Sequence, residues 1–166
     1  MTDASSFDVT STIDLQEVDN AVNQARKEIA QRYDFKGSCA AIEFSKTENS
    51  LALVADDAFK MDQVWDILQT RLIRRNVPVK NMTLGDVLPA ANSTVRRKIE
   101  LKQGIDSDAA REIVKFLKEQ KLKKVQANIQ GDQLRISSPS KDELQEAMRL
   151  LRGRDFGIAL QFGNYR

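Results

Sequence analysis

Apolar and polar residues alternate over residues 6–13: Phe7, Val9 and Ile13 fall on one side, Asp8, Thr10 and Thr12 on the other. A period of two predicts a half-buried strand. The period then lengthens. Val18, Val22, Ala25 and Ile29 recur every three or four residues, which predicts a helix from Asp14 to about Tyr33. Asp14 and Glu17 stand at its start with the spacing of a capping box. Residues 40–44 and 51–55 return to strand character around the polar turn 45–50, a hairpin. Asp57 heads a second helix, from about Ala58 to Arg75, with Met61, Val64, Trp65, Leu68 and Leu72 as its stripe. Pro78 forbids its continuation, and a short extended piece covers 79–84.

Residues 85–93 read as a linker, and the order then repeats. Residues 94–102 alternate as a strand. Asp106 or Ser107 opens a helix that carries Ile113, Val114 and Leu117 and ends near Lys121. Residues 125–130 and 133–137 form a hairpin across Gly131 and Asp132. Ser140 and Glu143 make a second capping box, and the helix behind it carries Leu144, Ala147, Met148 and Leu151. A last strand covers about 158–162. Both halves read β-α-β-β-α-β. The fold class is therefore α+β: two tandem ferredoxin-like domains, each an antiparallel sheet with helices on one face. The expected divisions are 1–84, the linker 85–93, and 94–166. The second face of each sheet is left to water, a partner domain or a ligand.

Composition narrows the chemistry. The chain has no histidine and one cysteine, Cys39. That removes an intrachain disulfide, most transition-metal sites and histidine-assisted nucleophilic catalysis. A carboxylate-bound magnesium site stays open but has no sequence signature, no cofactor signature is present, and a lone cysteine fits a reducing compartment. No apolar run approaches the roughly 20 residues of a membrane helix. Met1 to Ser6 lack the basic start and apolar core of a secretory signal. The expected location is the cytoplasm, with no membrane partner. Charge is uneven: residues 1–84 hold 10 Lys/Arg and 13 Asp/Glu, residues 85–166 hold 16 and 11. The second half is the better one to attract an anion, although two solvated surfaces give the same counts.

Strand parity in the second half turns Val95, Ile99, Leu101, Val125, Ala127, Ile129, Leu134 and Ile136 toward the helices, with Arg97 a misfit among them. The opposite parity displays Arg96, Lys98, Glu100 and Lys102, then Gln126, Asn128 and Gln130, then Gln133, Arg135 and Ser137. Cations interleaved with amides suit phosphates and base edges; an exposed antiparallel face is polar in any case. In the first half the same parity gives Asp8, Thr10, Thr12 and Glu43 with Ala41, Ala52 and Val54, a weakly acidic face. Two sheets of opposite sign facing each other would enclose a ligand cleft.

The βαββαβ order is shared with RNA-recognition modules, which stack bases on aromatic residues of the central strands. Residues 51–55 and 134–138 hold no aromatic, so RNA binding here would act through phosphates. No Walker loop and no Gly-x-Gly-x-x-Gly is present. Gly104 turns the chain at 102–106, where free amides and Lys102 suit a phosphate; an ordinary capped turn has the same spacing. In the loop 32–37, Tyr33 or Phe35 suits base stacking, and Phe35 equally suits a core plug.

Several of these stretches together resemble the YajQ family of nucleotide-binding proteins. They are Ser6-Phe7-Asp8, Arg32-Tyr33-Asp34-Phe35-Lys36-Gly37, Arg75-Asn76-Val77-Pro78-Val79-Lys80-Asn81, Leu101-Lys102-Gln103-Gly104-Ile105, residues 125–135, and Gln161-Phe162-Gly163-Asn164-Tyr165-Arg166. The resemblance spans about residues 6–166, in order. It implies two ferredoxin-like domains with N-terminal strands exchanged between the halves, which would move Asp8, Thr10 and Thr12 onto the basic half's sheet. It also implies a binding protein without catalysis. The implied ligand is a purine nucleotide, cyclic di-GMP in some members, with tRNA or ribosomal RNA as further partners. From side-chain chemistry, Lys98, Lys102 and Gly104 are then expected at phosphate, and Arg135, Gln126 and Gln130 at the base or a second phosphate. Asp8 and Asp34 would accept from guanine N1 and N2, and Phe7 or Tyr33 would stack. The expected location is the basic second half or the space between halves. An RNA-binding module and a protein-interaction adaptor with its own protein partner are the alternative classes.

Overall fold

The computed structural model describes residues 4–166, so Met1 to Asp3, part of the N-terminal segment weighed above as a signal, lie outside the described residues. Strand β1, Ser5–Thr10, follows the alternation, with Phe7 and Val9 fully buried. Helix α1, Leu15–Gln31, begins at Asp14, whose carboxylate accepts from the Gln16 amide. Glu17 instead holds Arg75 at 2.8 Å. Strands β2, Ala41–Ser45, and β3, Ser50–Ala55, form the expected hairpin. Helix α2, Ala58–Arg74, is capped by Asp57 on the Lys60 amide. A 3-10 turn, Val79–Asn81, leads into β4, Met82–Leu84. The expected linker is partly ordered: Leu88–Pro89 form β5, a two-residue strand.

Then follow β6, Val95–Leu101, and α3, Ser107–Lys118, capped by Asp106. Strands β7, Gln126–Gln130, and β8, Gln133–Ser138, precede α4, Lys141–Arg152, capped by Ser140. The last strand, β9, covers only Gln161–Gly163. Residues 158–160 do not pair as a strand, and Ile158 is a buried loop residue of the core.

The sheets do not follow the sequential halves. One has the order β7-β8-β1-β9, the other β2-β3-β6-β4, with β5 also on β6. Both are ferredoxin-like in order, and in both an interior strand comes from the other half. β1 pairs with β8, setting Asp8 opposite Arg135. β6 pairs with β3, setting Lys98 opposite Ala52. The compact units are accordingly the residues up to Thr12 with Gln103–Arg166, here the terminal unit, and Ile13–Lys102, the central unit. The sequence order had suggested 1–84 and 94–166 around a linker.

Each unit has its own core. In the terminal unit Phe7, Val9, Leu134 and Ile136 of the sheet meet Ile113 of α3 and Leu151 of α4. In the central unit Leu51, Leu53 and Ile99 meet Val22 of α1 and Leu68 of α2. Fully burying one such side chain contributes about 1.5–3 kcal/mol. Ile13, expected in the first strand, belongs to the central core.

Counted by unit, the charge asymmetry disappears. Residues 13–102 hold 14 Lys/Arg and 13 Asp/Glu, the rest 12 and 11, so each unit has a net charge of +1. The four cations Arg96, Arg97, Lys98 and Lys102 count with the central unit. Among the described residues no helix is long and apolar enough to cross a membrane.

Candidate functional site

The strand exchange dissolves the single basic face expected of residues 94–137. Arg96 and Lys98 lie on the central unit's sheet, while Gln126, Gln130 and Arg135 lie on the terminal unit's sheet. Each open face therefore has its own composition.

On the central unit's sheet, antiparallel register aligns Glu43, Ala52 and Lys98 in one row across β2, β3 and β6. Ala41, Val54 and Arg96 form a second row, and Ser45, Ser50 and Glu100 a third. Partners in register project on the same side. Ala52 is short between two long charged neighbours. The result is a hollow of about 340 Å3 lined by Glu43, Ser45, Glu48, Ser50, Arg96 and Lys98, with Ala52 within it. Arg96 Nη2 stands 3.6 Å from Glu43 Oε2, and both side chains are more than half exposed. Such a pair contributes about 0–1 kcal/mol and yields readily to a ligand. The Lys98 side chain has no ion-pair or hydrogen-bond partner among the described residues. Lys102 follows the end of β6 in the same unit, exposed, with its amide donating to the Asn81 carbonyl at 2.7 Å.

Tyr33 and Asp34 also belong to the central unit, on a 3-10 turn, Tyr33–Phe35, after α1. Phe35 is the core plug, buried beneath Lys60 and Arg32, whose charged groups lie 4.6 and 5.5 Å from its ring centre. Tyr33 is 87% exposed, free to stack. Asp34 is clamped: Arg32 Nε and Nη2 donate to its two oxygens at 3.0 and 2.8 Å. Those bonds hold its carboxyl below the usual range.

In the terminal unit, Phe7 and Asp8 are both engaged by the chain itself. Phe7 is fully buried, edge-on to Phe162 at 5.8 Å. It shares the helix-facing side of β1 with Val9. Asp8 points to the other side but is not a free acceptor. Arg135 Nε donates to its Oδ1 at 3.0 Å and Asn164 Nδ2 to its Oδ2 at 2.7 Å. These donors, Arg135 first, lower its pKa. The two Arg135 Nη groups bond to nothing among the described residues. Gln126 and Gln130 are exposed on β7, on the side of Asn128, which faces Arg135 in register.

The amides around Gly104, expected at a phosphate, already have acceptors within the chain. The Gly104 amide donates to the Ser11 carbonyl and the Ile105 amide to the Asp132 carbonyl, at 2.6 and 2.8 Å. Asp106 caps the Ala109 amide. The segment is a capped turn, and glycine is needed there for another reason. Its φ is +85°, and a Cβ would meet the Asp132 side chain at 2.8 Å.

The ten expected site residues thus divide: Tyr33, Asp34, Lys98 and Lys102 in the central unit, the other six in the terminal unit. Sequence reasoning passed over Ser45, Glu48 and Ser50, which stand in or beside a turn read only as a polar connector. The available signal was a hydroxyl at each end of that turn, in register as Ser45 and Ser50. Among the described residues no group of three or more Cys, Asp or Glu residues is gathered to hold a metal ion.

Against known proteins, the family described as "Nucleotide-binding protein YajQ-like" matches residues 5–166. A "Nucleotide-binding protein" of Solibacter usitatus is 51% identical over 97% of this chain and 96% of its own. One of Desulfitobacterium hafniense is 49% identical over 98% of both chains. One of Chloroherpeton thalassium is 46% identical over the whole of both.

Proposed function

Because the chain belongs to the YajQ-like family of nucleotide-binding proteins, we propose that it binds a purine nucleotide, without transforming it, on the open sheet face of its central unit. The observation that carries this reading is the hollow over Ala52, where the unengaged Lys98 and the loosely paired Arg96 stand beside the carboxylates of Glu43 and Glu48. Two cations neutralise a phosphate, Arg96 with a planar fork and Lys98 as a point charge. A carboxylate accepts from N1 and N2 of guanine; adenine offers no such pair of donors on that edge. Ser45 and Ser50 supply hydroxyls for ribose or base. Guanine nucleotides, cyclic di-GMP among them, fit this set better than adenine nucleotides. The reading contains no chemical step, and it places the protein in the cytoplasm with its ligand.

The test is calorimetric titration of nucleic-acid-free protein with GTP, ATP, cyclic di-GMP and a tRNA. Saturable binding of a guanine nucleotide, weakened about tenfold or more by Lys98→Ala, supports the reading. Nucleotide binding that Lys98→Ala and Arg96→Ala leave unchanged moves the site elsewhere.

One observation favours a second reading. The open Arg135 Nη groups stand beside the exposed amides of Gln126, Asn128 and Gln130, a combination that also suits the phosphates and base edges of single-stranded RNA. Steep loss of tRNA affinity with salt, together with a loss in Arg135→Ala, would favour it.

A further inference from the structure

Strand β7 is the outer strand of the terminal unit's sheet, paired among the described residues only with β8. Alternate residues of such a strand turn their N–H and C=O groups away from the sheet. Among the described residues no side chain or further backbone segment bonds to Gln126–Gln130 on that outer side.

The central unit has the corresponding outer strand, β2, and treats it differently. Arg26 of α1 reaches over it, and both its Nε and its Nη2 donate to the Ile42 carbonyl, Nε at 3.0 Å. Arg26 lies twelve residues beyond its N-cap, Asp14, and Lys118 lies twelve beyond Asp106. Lys118 occupies the matching place beside β7 and engages no partner among the described residues. The β7 edge is left open where its counterpart is closed.

Beside β7 and α3 lies a groove of about 420 Å3, lined by the apolar Val114, Leu117, Leu122, Val125 and Ala127. Ile129 continues the apolar side of the strand and is 51% exposed. Lys118 and Lys123 line the same groove, with Lys115, Lys121 and Lys124 close by in sequence. None of these five lysines has an ion pair among the described residues. A second copy of this chain is a poor occupant, since it would set five lysines against five. Nucleic acid suits the lysines but offers no strand to continue the ladder and nothing for the apolar wall.

We propose that β7 and its groove dock an extended acidic segment of a partner protein, which adds a strand to the terminal unit's sheet. Main-chain hydrogen bonds to β7 supply affinity. On the groove side of the added strand, apolar side chains meet the apolar wall and carboxylates on that same side meet Lys118 and Lys123.

The test uses the full chain and a fluorescent peptide of about nine residues whose groove-side positions, every second residue, are Val or Ile at the centre and Glu toward the ends, with Thr between them. Anisotropy reads binding, and hydrogen exchange reads the amides of Gln126–Gln130. Saturable binding with slowed exchange in that strand is expected. The double variant Lys118→Glu/Lys123→Glu should bind about tenfold or more weakly. A peptide with a central proline should not bind the unchanged protein, because it cannot complete the ladder. No binding at about 1 mM peptide overturns the proposal. So does binding without protection of β7, binding indifferent to the double variant, or full retention by the proline peptide. An oligouridylate that binds at these lysines while the peptide does not also overturns it, in favour of nucleic acid.

Discussion

At the scale of single residues, Asp8 illustrates how the fold consumes a group that the sequence offers to a ligand. Its carboxylate is satisfied by Arg135 and Asn164, which the chain supplies 127 and 156 residues later. Removing it leaves a half-buried guanidinium without its anchor. Asp8→Ala should cost about 1.5–3 kcal/mol in urea unfolding at pH 7. The pH sign follows from the direction of the shift. The folded pKa lies below the unfolded value of roughly 3.9, so the contribution is complete above that value and is lost as pH falls through the folded pKa. The gap between wild type and Asp8→Ala should hold from neutral pH down to about 5 and close in stronger acid. A gap unchanged at the lowest pH would assign the loss to packing instead. Gly104 gives a second residue-level test. Gly104 and Gly131 both have positive φ, but only at Gly104 would a Cβ collide with a neighbour. Gly104→Ala should therefore destabilise by about 1–3 kcal/mol and by more than Gly131→Ala, measured as the ordering of their denaturation midpoints. Equal effects would mean that backbone strain alone matters and the Asp132 contact gives way.

At the scale of elements, the hydrophobic period and the capping residues located the four helices of the described residues, with starts at Asp14, Asp57 and Ser140 and, of the two candidates Asp106 and Ser107, at Asp106, because capping and period depend on neighbouring residues alone. It was less informative where pairing decides. The alternation of Ile99 and Leu101 is satisfied by either sheet, so nothing local says that β6 lies between β3 and β4; only the family resemblance implied an exchange. The candidate site shows the same division. Lys98 was legible as an outward cation, and the burial of Phe7 followed from its parity with Val9. The occupation of the Gly104 amide by Ser11 was not legible, since the acceptor arrives from a distant segment. Ile99→Ala tests the exchange directly. It removes a fully buried side chain of the central core and should cost about 2–5 kcal/mol. Native-state hydrogen exchange should quicken within residues 13–102. Faster exchange confined to residues 103–166 would mean that β6 belongs to the sheet of its own half.

At the scale of the molecule, the chain passes between its two compact units at 12–13 and again at 102–103. The central unit is thus one continuous segment, while the terminal unit is assembled from both ends of the chain. This predicts an asymmetry that two sequential domains would not show. A fragment of residues 13–102 retains every strand of the β2-β3-β6-β4 sheet, both helices and the whole of its core. It should fold alone, with a single cooperative melt by circular dichroism. A fragment of residues 1–93 lacks β6, so β3 and β4 lose the strand between them and Ile99 and Leu101 leave the core. It should stay largely unfolded although it is slightly longer. A fragment of residues 94–166 lacks β1, and with it Phe7 and Val9, and should fare no better. Cooperative folding of 1–93 and 94–166 separately, with 13–102 unfolded, would show that each half can close its own sheet. The same fragment separates the sites: if 13–102 keeps the nucleotide affinity of the full chain, the hollow over Ala52 holds the ligand, and if it folds yet binds none, the terminal unit is required.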